Sequence, residues 1–223
     1  MARGSKLIAV ACLWAVPLLI LATAFSSDWV TIWEKVRLPE WSGPFMDITV
    51  ISIGVQTQKM GGNPLVSNPG DRYGRQVPYP RIWVYLFSWL RITESRIPIV
   101  GVTFCVLYLI CISWLILHSS GAISPFVLMI AGLSLAPLLA IERGNIDLFI
   151  FFLLFIGCAA TNRILRIGAF FVATALKIYP IAALLVEAIR RPLKNALLPV
   201  AATVTSAALP KDLAWNAATC TAR

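Results

Sequence analysis

Charged and amide side chains interrupt an otherwise apolar stretch, LLAIERGNIDLFIFFLLFIG, at residues 138–157. They are Glu142, Arg143, Asn145 and Asp147. Polar groups at membrane depth are costly and often line a cavity that binds a polar substrate. The alternative is a loop at the membrane surface, in which Arg143 and Asp147 pair at helical i,i+4 spacing. The residue types alone are compatible with a substrate-binding cavity and with a surface loop.

A lysine lies in the middle of a second apolar stretch. Lys177 is thirteen residues from both Ile164 and Arg190, so its ammonium is far from either end of a span. Burying such a charge in a bilayer costs on the order of 2.5–3.5 kcal/mol on insertion scales. We therefore expect Lys177 to bind an anionic ligand or a nearby carboxylate.

The remaining candidates lie in a polar segment between apolar runs. Asp47 precedes an apolar, alternating stretch in GPFMDITVISIG, and its alternative role is that of a solvated loop carboxylate. GGNP at 61–64 is a turn by its chemistry, and VPYP at 77–80 is a rigid extended piece. Three arginines that could bind phosphate or lipid headgroups follow Asp47: Arg72, Arg75 and Arg81.

The composition indicates a multi-spanning helical membrane protein. Of the 223 residues, 59% are hydrophobic and 13% are charged, with a mean hydropathy of +0.81, whereas soluble domains carry nearly twice that share of charge. Several runs approach the roughly 20 apolar residues that cross a bilayer, and they are too long for barrel strands. The net charge of +9 arises from short basic clusters between these runs. Anionic lipid and the positive-inside rule explain such clusters without a nucleic-acid partner.

The cysteine and histidine positions predict no metal or redox site. The five cysteines have no metal-binding spacing and are interpreted as ordinary buried thiols, and His118 as a structural residue at the end of a span. No grouping of His, Asp and Glu requires a metal, so none is assigned.

The first apolar run, at 7–25, follows Arg3 and Lys6. It is predicted to be a spanning helix with its N-terminus inside. A secretory signal is the alternative, because ATA at 22–24 resembles a cleavage site. The polar segment 26–97 is then a long extracytoplasmic loop, with interfacial helices at WVTIWEKV and RIWVYLFSWL.

The rest of the chain is predicted to form a polytopic bundle over 97–209. Spans are expected at 97–117, 123–140 and 146–160, with a weak last run at 196–209. The run 167–189 lies between basic clusters that both favour the inside, TNRILR and RRPLK. A re-entrant helix pair that turns at KIYP satisfies both clusters, and Pro180 supports a break there. Lys177 would then lie near the outer surface, together with ERGNID.

The order of these elements resembles the GT-C superfamily of membrane glycosyltransferases, nearest the bacterial polyprenol-phosphate-mannose α-mannosyltransferases. RGN and KIYP are also similar to pieces of the first mannosyltransferase of GPI-anchor assembly. The resemblance covers about residues 47–191. NPL and YPR depart from the family's NPY and YPP. It rests on these elements: Asp47, Gly62-Asn63-Pro64, Tyr79-Pro80, Gly144-Asn145-Ile146-Asp147 and Lys177-Ile178-Tyr179-Pro180.

The resemblance implies transfer of a hexose, mannose in the nearest relatives, from a polyprenyl-phosphate sugar to a lipid-linked or surface glycan by inverting displacement. Asp47 would be the general base. Cations would bind the donor phosphate: Lys177, Arg143, Arg81 and Arg75. Asn145 and Asp147 would bind the sugar or hold Lys177, and Glu142 would bind the sugar. No cofactor is implied beyond the lipid-linked donor.

The resemblance places one transferase domain, residues 1–223, in the plasma membrane, with its active site facing the extracytoplasmic side. The family has more spans than this sequence, which predicts an incomplete C-terminus. Two alternatives remain at this level: a transporter or flippase of a lipid-linked or anionic solute, and an inactive, truncated family member.

Overall fold

The computed structural model describes residues 3–24, 43–119 and 124–190, and every regular element within these ranges is a helix. A 3₁₀ turn at Glu94–Arg96 precedes the fourth helix. The helices are α1 (Arg3–Ala24), α2 (Met46–Lys59), α3 (Ile82–Trp89), α4 (Ile97–His118), α5 (Pro125–Gly132), α6 (Leu135–Arg143), α7 (Asp147–Ala159), α8 (Arg163–Leu176) and α9 (Ile181–Arg190).

Two of these helices are long and apolar enough to cross a membrane, over Gly4–Ala22 and Glu94–His118. The region of the span expected at 123–140 forms a pair of helices, α5 and α6, bent by 45°, which together have the length and composition of one broken span or of a re-entrant loop. Pro137 explains the break, because it lacks an N–H donor and its ring clashes with the carbonyl of residue 133. The span expected at 146–160 is α7, whose 13 residues reach about 20 Å, less than a hydrocarbon core of around 30 Å.

The two long helices, α1 and α4, pack antiparallel. The ammonium of Lys6 donates to the carbonyls of Leu117 and Ser119, at 2.9 and 2.7 Å. Further along the pair, the indole N–H of Trp14 donates to Ser113 at 2.8 Å. Lys6 thus binds the carbonyls that the end of α4 leaves without helical partners, which fixes how the two helices are aligned.

Within the described part of the segment predicted as a loop, residues 43–96, α2 and α3 contribute side chains to the core. The extracytoplasmic position of the segment stays a prediction. Helix α2 packs on α3, α4 and α6, and eight of its residues are buried. Helix α3 is short, as predicted from RIWVYLFSWL, but its inner face joins the core through Trp83, Val84 and Phe87. Its outer face leaves Tyr85 and Trp89 exposed. The first interfacial helix, predicted at WVTIWEKV, lies outside the described residues.

Phe45 fixes the start of α2. It adopts a left-handed backbone conformation, with φ of 60°, and its N–H donates to the carbonyl of Glu142 at 2.9 Å. Its ring is fully buried against Gly101 and Gly144, where an added Cβ would come within 2.5 and 3.0 Å of Phe45. Gly101 in α4 and Gly144 directly after α6 therefore leave room for the Phe45 ring, so that the start of α2 can lie beside the end of α6.

We expect Gly101→Ala to destabilise the protein because its methyl group would overlap the ring of Phe45. Overpacking of this kind typically costs about 1–3 kcal/mol. Thermal unfolding in detergent, followed by size-exclusion fluorescence, measures the loss. Gly168→Ala in α8 is the matched control, since its Cβ would meet nothing within 4 Å and alanine favours a helix by roughly 0.5–1 kcal/mol over glycine. Equal thermal stability of the two variants would contradict this account of Phe45.

The chain doubles back between α8 and α9, at the KIYP break. Near the start of α8, the guanidinium of Arg166 lies 3.4 Å from the carboxylate of Glu187, near the end of α9. Arg166 also donates to the carbonyl of Ala160 at 2.9 Å. This antiparallel hairpin has the geometry that a re-entrant pair requires, and its position in a membrane remains a prediction.

Several sequence predictions fall outside the described residues. These are most of the RRPLK cluster, the weak run at 196–209 and Cys220. The cleavage site that a secretory signal would require is likewise not tested. Of the four cysteines that are described, Cys105 and Cys111 are buried as predicted, whereas Cys12 and Cys158 are exposed.

Candidate active site

The ERGNID stretch is a sharp turn between α6 and α7. Gly144 ends α6 in the left-handed conformation, with φ of 60°, which glycine adopts without steric cost. The side-chain carbonyl of Asn145 then accepts from the N–H of Asp147 at 2.9 Å, which forms an Asx turn directly before α7. Arg143 and Asp147 consequently belong to different helices, and no i,i+4 ion pair forms between them. Instead, Asp147 faces Lys177.

Asp47 and Asn145, 98 residues apart in sequence, are in direct contact. The amide nitrogen of Asn145 donates to the Asp47 carboxylate at 2.9 Å. Burial raises the pKa of Asp47 above the ordinary 3.8, although Arg143, Arg75 and the hydrogen bond from Asn145 oppose the rise. A carboxylate with a raised pKa and a fixed hydrogen-bond donor is suited to accept a proton near neutral pH.

Lys177 binds a carboxylate, as its position in the sequence predicted. Its Nζ lies 2.6 Å from Oδ1 of Asp147, which also accepts from the hydroxyl of Tyr179 at 3.0 Å. The ammonium lies 5.8 Å from the ring centroid of Tyr79 and 5.5 Å from that of Tyr179. Both distances fall within the roughly 6 Å range of cation–π attraction. Asp147 and two tyrosines thus hold the lysine.

Trp83 connects the hairpin to the rest of the site. Its indole N–H donates to the carbonyl of Leu176 at 2.9 Å, at the end of α8. Lys177 follows in an extended conformation, with φ of −158°. Since the last carbonyls of a helix have no helical partner, the buried indole both satisfies Leu176 and fixes the point from which Lys177 extends.

An apolar cavity of about 550 Å³ opens beside these residues. Polar side chains lie around the α6–α7 turn, and apolar residues of both helices form the walls. Leu154 is seven residues along α7 from Asp147, so the cavity extends roughly 10 Å from the polar groups. It is lined by Tyr108, Ala136, Pro137, Leu139, Ala140, Arg143, Asn145, Asp147, Leu148, Phe151, Leu154 and Tyr179.

Glu142 and Arg143 have different environments. Arg143 lines the cavity and is part-exposed. Glu142 is fully buried, and its carboxylate lies 3.6 Å from Nε of Arg143. Glu142 is not among the residues that line the cavity, and its predicted contact with the sugar stays a prediction. Buried beside the guanidinium, it is a partner of Arg143.

The other two arginines predicted to bind phosphate have protein partners. Arg75 forms an ion pair with the buried Asp71 at 2.8 Å and donates to the carbonyl of Met46 at 3.3 Å. Burial alone raises the pKa of Asp71, but the bonds from Arg75 outweigh it and hold that pKa below its ordinary value. Arg81 donates to the side chain of Asn63 at 3.0 Å, in the GGNP turn. Neither Arg75 nor Arg81 lines the cavity.

Sequence reasoning did not assign roles to three aromatic side chains that build the site: Tyr79, Tyr179 and Trp83. Both tyrosines directly precede a proline, in VPYP and KIYP. Proline restricts the backbone of the residue before it, and a rigid backbone holds its side chain in a fixed place. The repeated Tyr-Pro pair was therefore the available signal.

Within the described ranges, no group of three His, Cys, Asp or Glu side chains could hold a metal ion. Comparisons with family models, curated proteins and solved structures found no match for this chain. The function proposed for the protein consequently depends on the geometry of the site and on the sequence resemblance.

Proposed function

We propose that this protein is a membrane glycosyltransferase that moves a hexose from a polyprenyl-phosphate sugar to a glycan or glycolipid acceptor. The observation that carries the proposal is the contact between Asp47 and Asn145 at an apolar cavity. Asp47 does not itself line the cavity, but it contacts Asn145, which lies at the cavity's polar end. The resemblance to the polyprenol-phosphate-mannose α-mannosyltransferases makes mannose the first sugar to test.

The cavity suits an amphipathic donor. Its volume of about 550 Å³ falls within the roughly 300–1,000 Å³ of ordinary ligand sites. The polar end of the cavity offers charge and hydrogen bonds to a phosphosugar, through Arg143, Asn145, Asp147 and Tyr179. The walls formed by α6 and α7 offer apolar surface to its prenyl chain. A water-soluble sugar nucleotide would leave most of that apolar lining without a partner.

In the proposed reaction, the acceptor oxygen attacks the anomeric carbon as its proton passes to Asp47. The bond between that carbon and the phosphate oxygen breaks, and the electron pair leaves with the polyprenyl phosphate. One carboxylate suffices for this single inverting displacement, because the leaving phosphate is already anionic and requires no acid.

Negative charge accumulates on the departing phosphate, so fixed cations stabilise the transition state more than the ground state. Arg143 is the arginine that lines the cavity. Lys177 does not line the cavity, but it is bound to Asp147, which does. Its ammonium has three N–H donors, and a phosphate entering beside Asp147 would compete for it.

The raised pKa of Asp47 predicts a displaced acid limb in the pH profile of transfer. Only the ionised carboxylate accepts a proton, so kcat/KM falls as the pH drops through the pKa. Since burial raises that pKa above 3.8, we expect the fall at a higher pH than for an exposed aspartate. A donor phosphodiester keeps its charge throughout this range. Initial rates from pH 4 to pH 8 would check the profile, and a flat profile would contradict it.

We further propose a multi-pass position in the plasma membrane, with the site on the extracytoplasmic side. Two helices and one bent pair that could cross a membrane support this position. So do the basic residues Arg3 and Lys6 before α1, which favour an N-terminus inside. Cysteine labelling of the α2–α3 segment in intact cells tests the orientation.

The direct test of function is an assay with purified protein in detergent. The donor is radiolabelled short-chain polyprenyl-phosphate mannose, and octyl α-mannoside is the acceptor. Appearance of label in the acceptor, with release of polyprenyl phosphate, supports the transferase. The broken helix at KIYP favours a transporter as the second candidate, since discontinuous helices also build transport sites. Flux of donor across vesicles without transfer would support that candidate.

A further inference from the structure

We propose that Asn145 is a positioning residue that presents an N–H donor to Asp47 and so fixes this carboxylate for proton transfer. The inference deepens the proposed function and rests on it, because it assigns Asn145 to the reaction in which Asp47 is the base. The resemblance implies contact of Asn145 with the sugar or with Lys177, whereas its amide nitrogen contacts Asp47 in the structure.

The hydrogen-bonding groups of Asn145 have partners on three helices. Its backbone N–H donates to the carbonyl of Ala140 at 2.8 Å, and its backbone carbonyl accepts from the N–H of Leu148 at 3.1 Å. Its side-chain oxygen accepts from the N–H of Asp147, and its amide nitrogen donates to Asp47, both at 2.9 Å. Asn145 therefore links the end of α6 and the start of α7 to the start of α2.

The Asx turn determines which end of the amide faces the base. The backbone N–H of Asp147 can only donate, so the side chain of Asn145 must turn its oxygen toward that N–H. The amide nitrogen then lies on the other side, where the carboxylate of Asp47 accepts from it. A donor that the backbone holds in this way stabilises the ionised form of the carboxylate and fixes its orientation.

Ionisable groups face Asp47 as well. Among the described residues they are Arg75 and Tyr79, from the segment between α2 and α3, and Arg143, at the end of α6. A substitution at Asn145 leaves these three side chains unchanged, so its effect on Asp47 reports the contribution of the amide.

Asn145→Asp removes the donor and keeps the rest of the residue. The introduced carboxylate has nearly the shape of the amide, and one of its oxygens can still accept from the N–H of Asp147 and retain the Asx turn. Its other oxygen faces the carboxylate of Asp47 at the distance of a hydrogen bond. Two carboxylates so close together do not both ionise readily, so they share one proton and one pKa of the pair rises strongly.

Asn162→Asp is the matched control. The side-chain oxygen of Asn162 caps α8 by accepting from the N–H groups of Ile164 and Leu165, at 2.8 and 3.3 Å. Asn145 and Asn162 therefore bind the backbone at a helix start in the same way. They are separated by α7, whose 13 residues reach about 20 Å, so the control adds its charge far from Asp47.

The first measurement is the protonation of Asp47, which does not depend on activity. Full-length protein in detergent is treated with a water-soluble carbodiimide and glycinamide between pH 4 and pH 9, and labelling of Asp47 is quantified by mass spectrometry. Only the protonated carboxyl reacts efficiently. We expect Asn145→Asp to move the labelling midpoint upward by at least about two pH units, as for two carboxylates that share a proton. Asn162→Asp should leave the midpoint in place.

The pH profile of transfer separates positioning from a structural role. If Asn145 only formed the Asx turn, Asn145→Asp would transfer sugar normally at neutral pH, because the introduced carboxylate keeps that turn. If the substitution disrupted the site, the rate would fall equally at every pH. In the positioning role, the acid limb of kcat/KM moves upward by as many pH units as the labelling midpoint, and transfer recovers as the pH rises.

An unmoved or lowered labelling midpoint in Asn145→Asp, or an acid limb that stays in place, would overturn the inference. Absence of transfer by the unmodified protein, or normal transfer by Asp47→Asn, overturns the proposed function instead. The labelling midpoint is measured in either case, so the two failures are distinguishable.

Discussion

We expect Asp47→Asn to abolish sugar transfer and to leave the amount of folded protein unchanged. The asparagine has nearly the shape of aspartate and its side-chain oxygen can still accept from Asn145, but it cannot take a proton from the acceptor. Removal of a positioned general base costs about 10²–10⁴-fold in rate. The variant is assayed for transfer of radiolabelled mannose, with protein quantified by size-exclusion fluorescence. Asp47→Ala is expected to show the same loss.

Glu94→Gln is the matched control for Asp47→Asn. It also removes one carboxylate charge, but Glu94 is exposed beside α4 and accepts from Gln56 at 2.9 Å, away from the cavity. We expect normal transfer from this variant. If Asp47→Asn transferred sugar at the rate of Glu94→Gln, Asp47 would not be the base.

The helical class of the fold was predictable from the lengths of the apolar runs. Ile97–His118 begins and ends within one residue of the predicted span because Pro98 starts it and the run of apolar residues is uninterrupted. The bend between α5 and α6 was not predicted. Pro137 was visible in the sequence, but a proline in an apolar run also occurs in spanning helices, such as Pro17 in α1.

The position of α2 could not be read from the sequence. Its apolar residues alternate with polar ones at first, as in a surface segment. Burial of this helix depends on Phe45 fitting against Gly101 and Gly144, which are contacts between residues far apart in the chain. No local sequence pattern indicates against which glycine a given aromatic ring will pack.

The polar site was partly predictable because charges in apolar surroundings require partners. That argument identified Asp147 and Lys177 separately, and the structure joins them at 2.6 Å. It could not distinguish Glu142 from Asp147, because neighbouring carboxylates differ only in the direction that the backbone gives them. The left-handed Gly144 and the Asx turn at Asn145 place Asp147 at the cavity and leave Glu142 buried.

We expect Lys177→Met to lower kcat for transfer by roughly 10²–10³-fold, the usual cost of removing one fixed electrostatic group from a reacting site. Methionine has a similar length and no charge, so the rings of Tyr79 and Tyr179 keep an apolar neighbour. Initial rates at saturating donor measure the loss. Lys59→Met, at the exposed end of α2, removes the same charge elsewhere and should transfer normally.

Two roles of Lys177 predict this same loss and are separated by a second substitution. If Lys177 only neutralises Asp147, its removal leaves an unopposed carboxylate at the cavity, and Asp147→Asn in the Lys177→Met background restores transfer. If Lys177 also stabilises the departing phosphate, neutralising Asp147 restores little, because the charge on the leaving group still lacks its cation. We expect the double variant to stay at least about 10²-fold below the Asp147→Asn single variant. Recovery to the rate of that single variant would show that Lys177 serves Asp147 and not the phosphate, leaving Arg143 as the cation that lines the cavity.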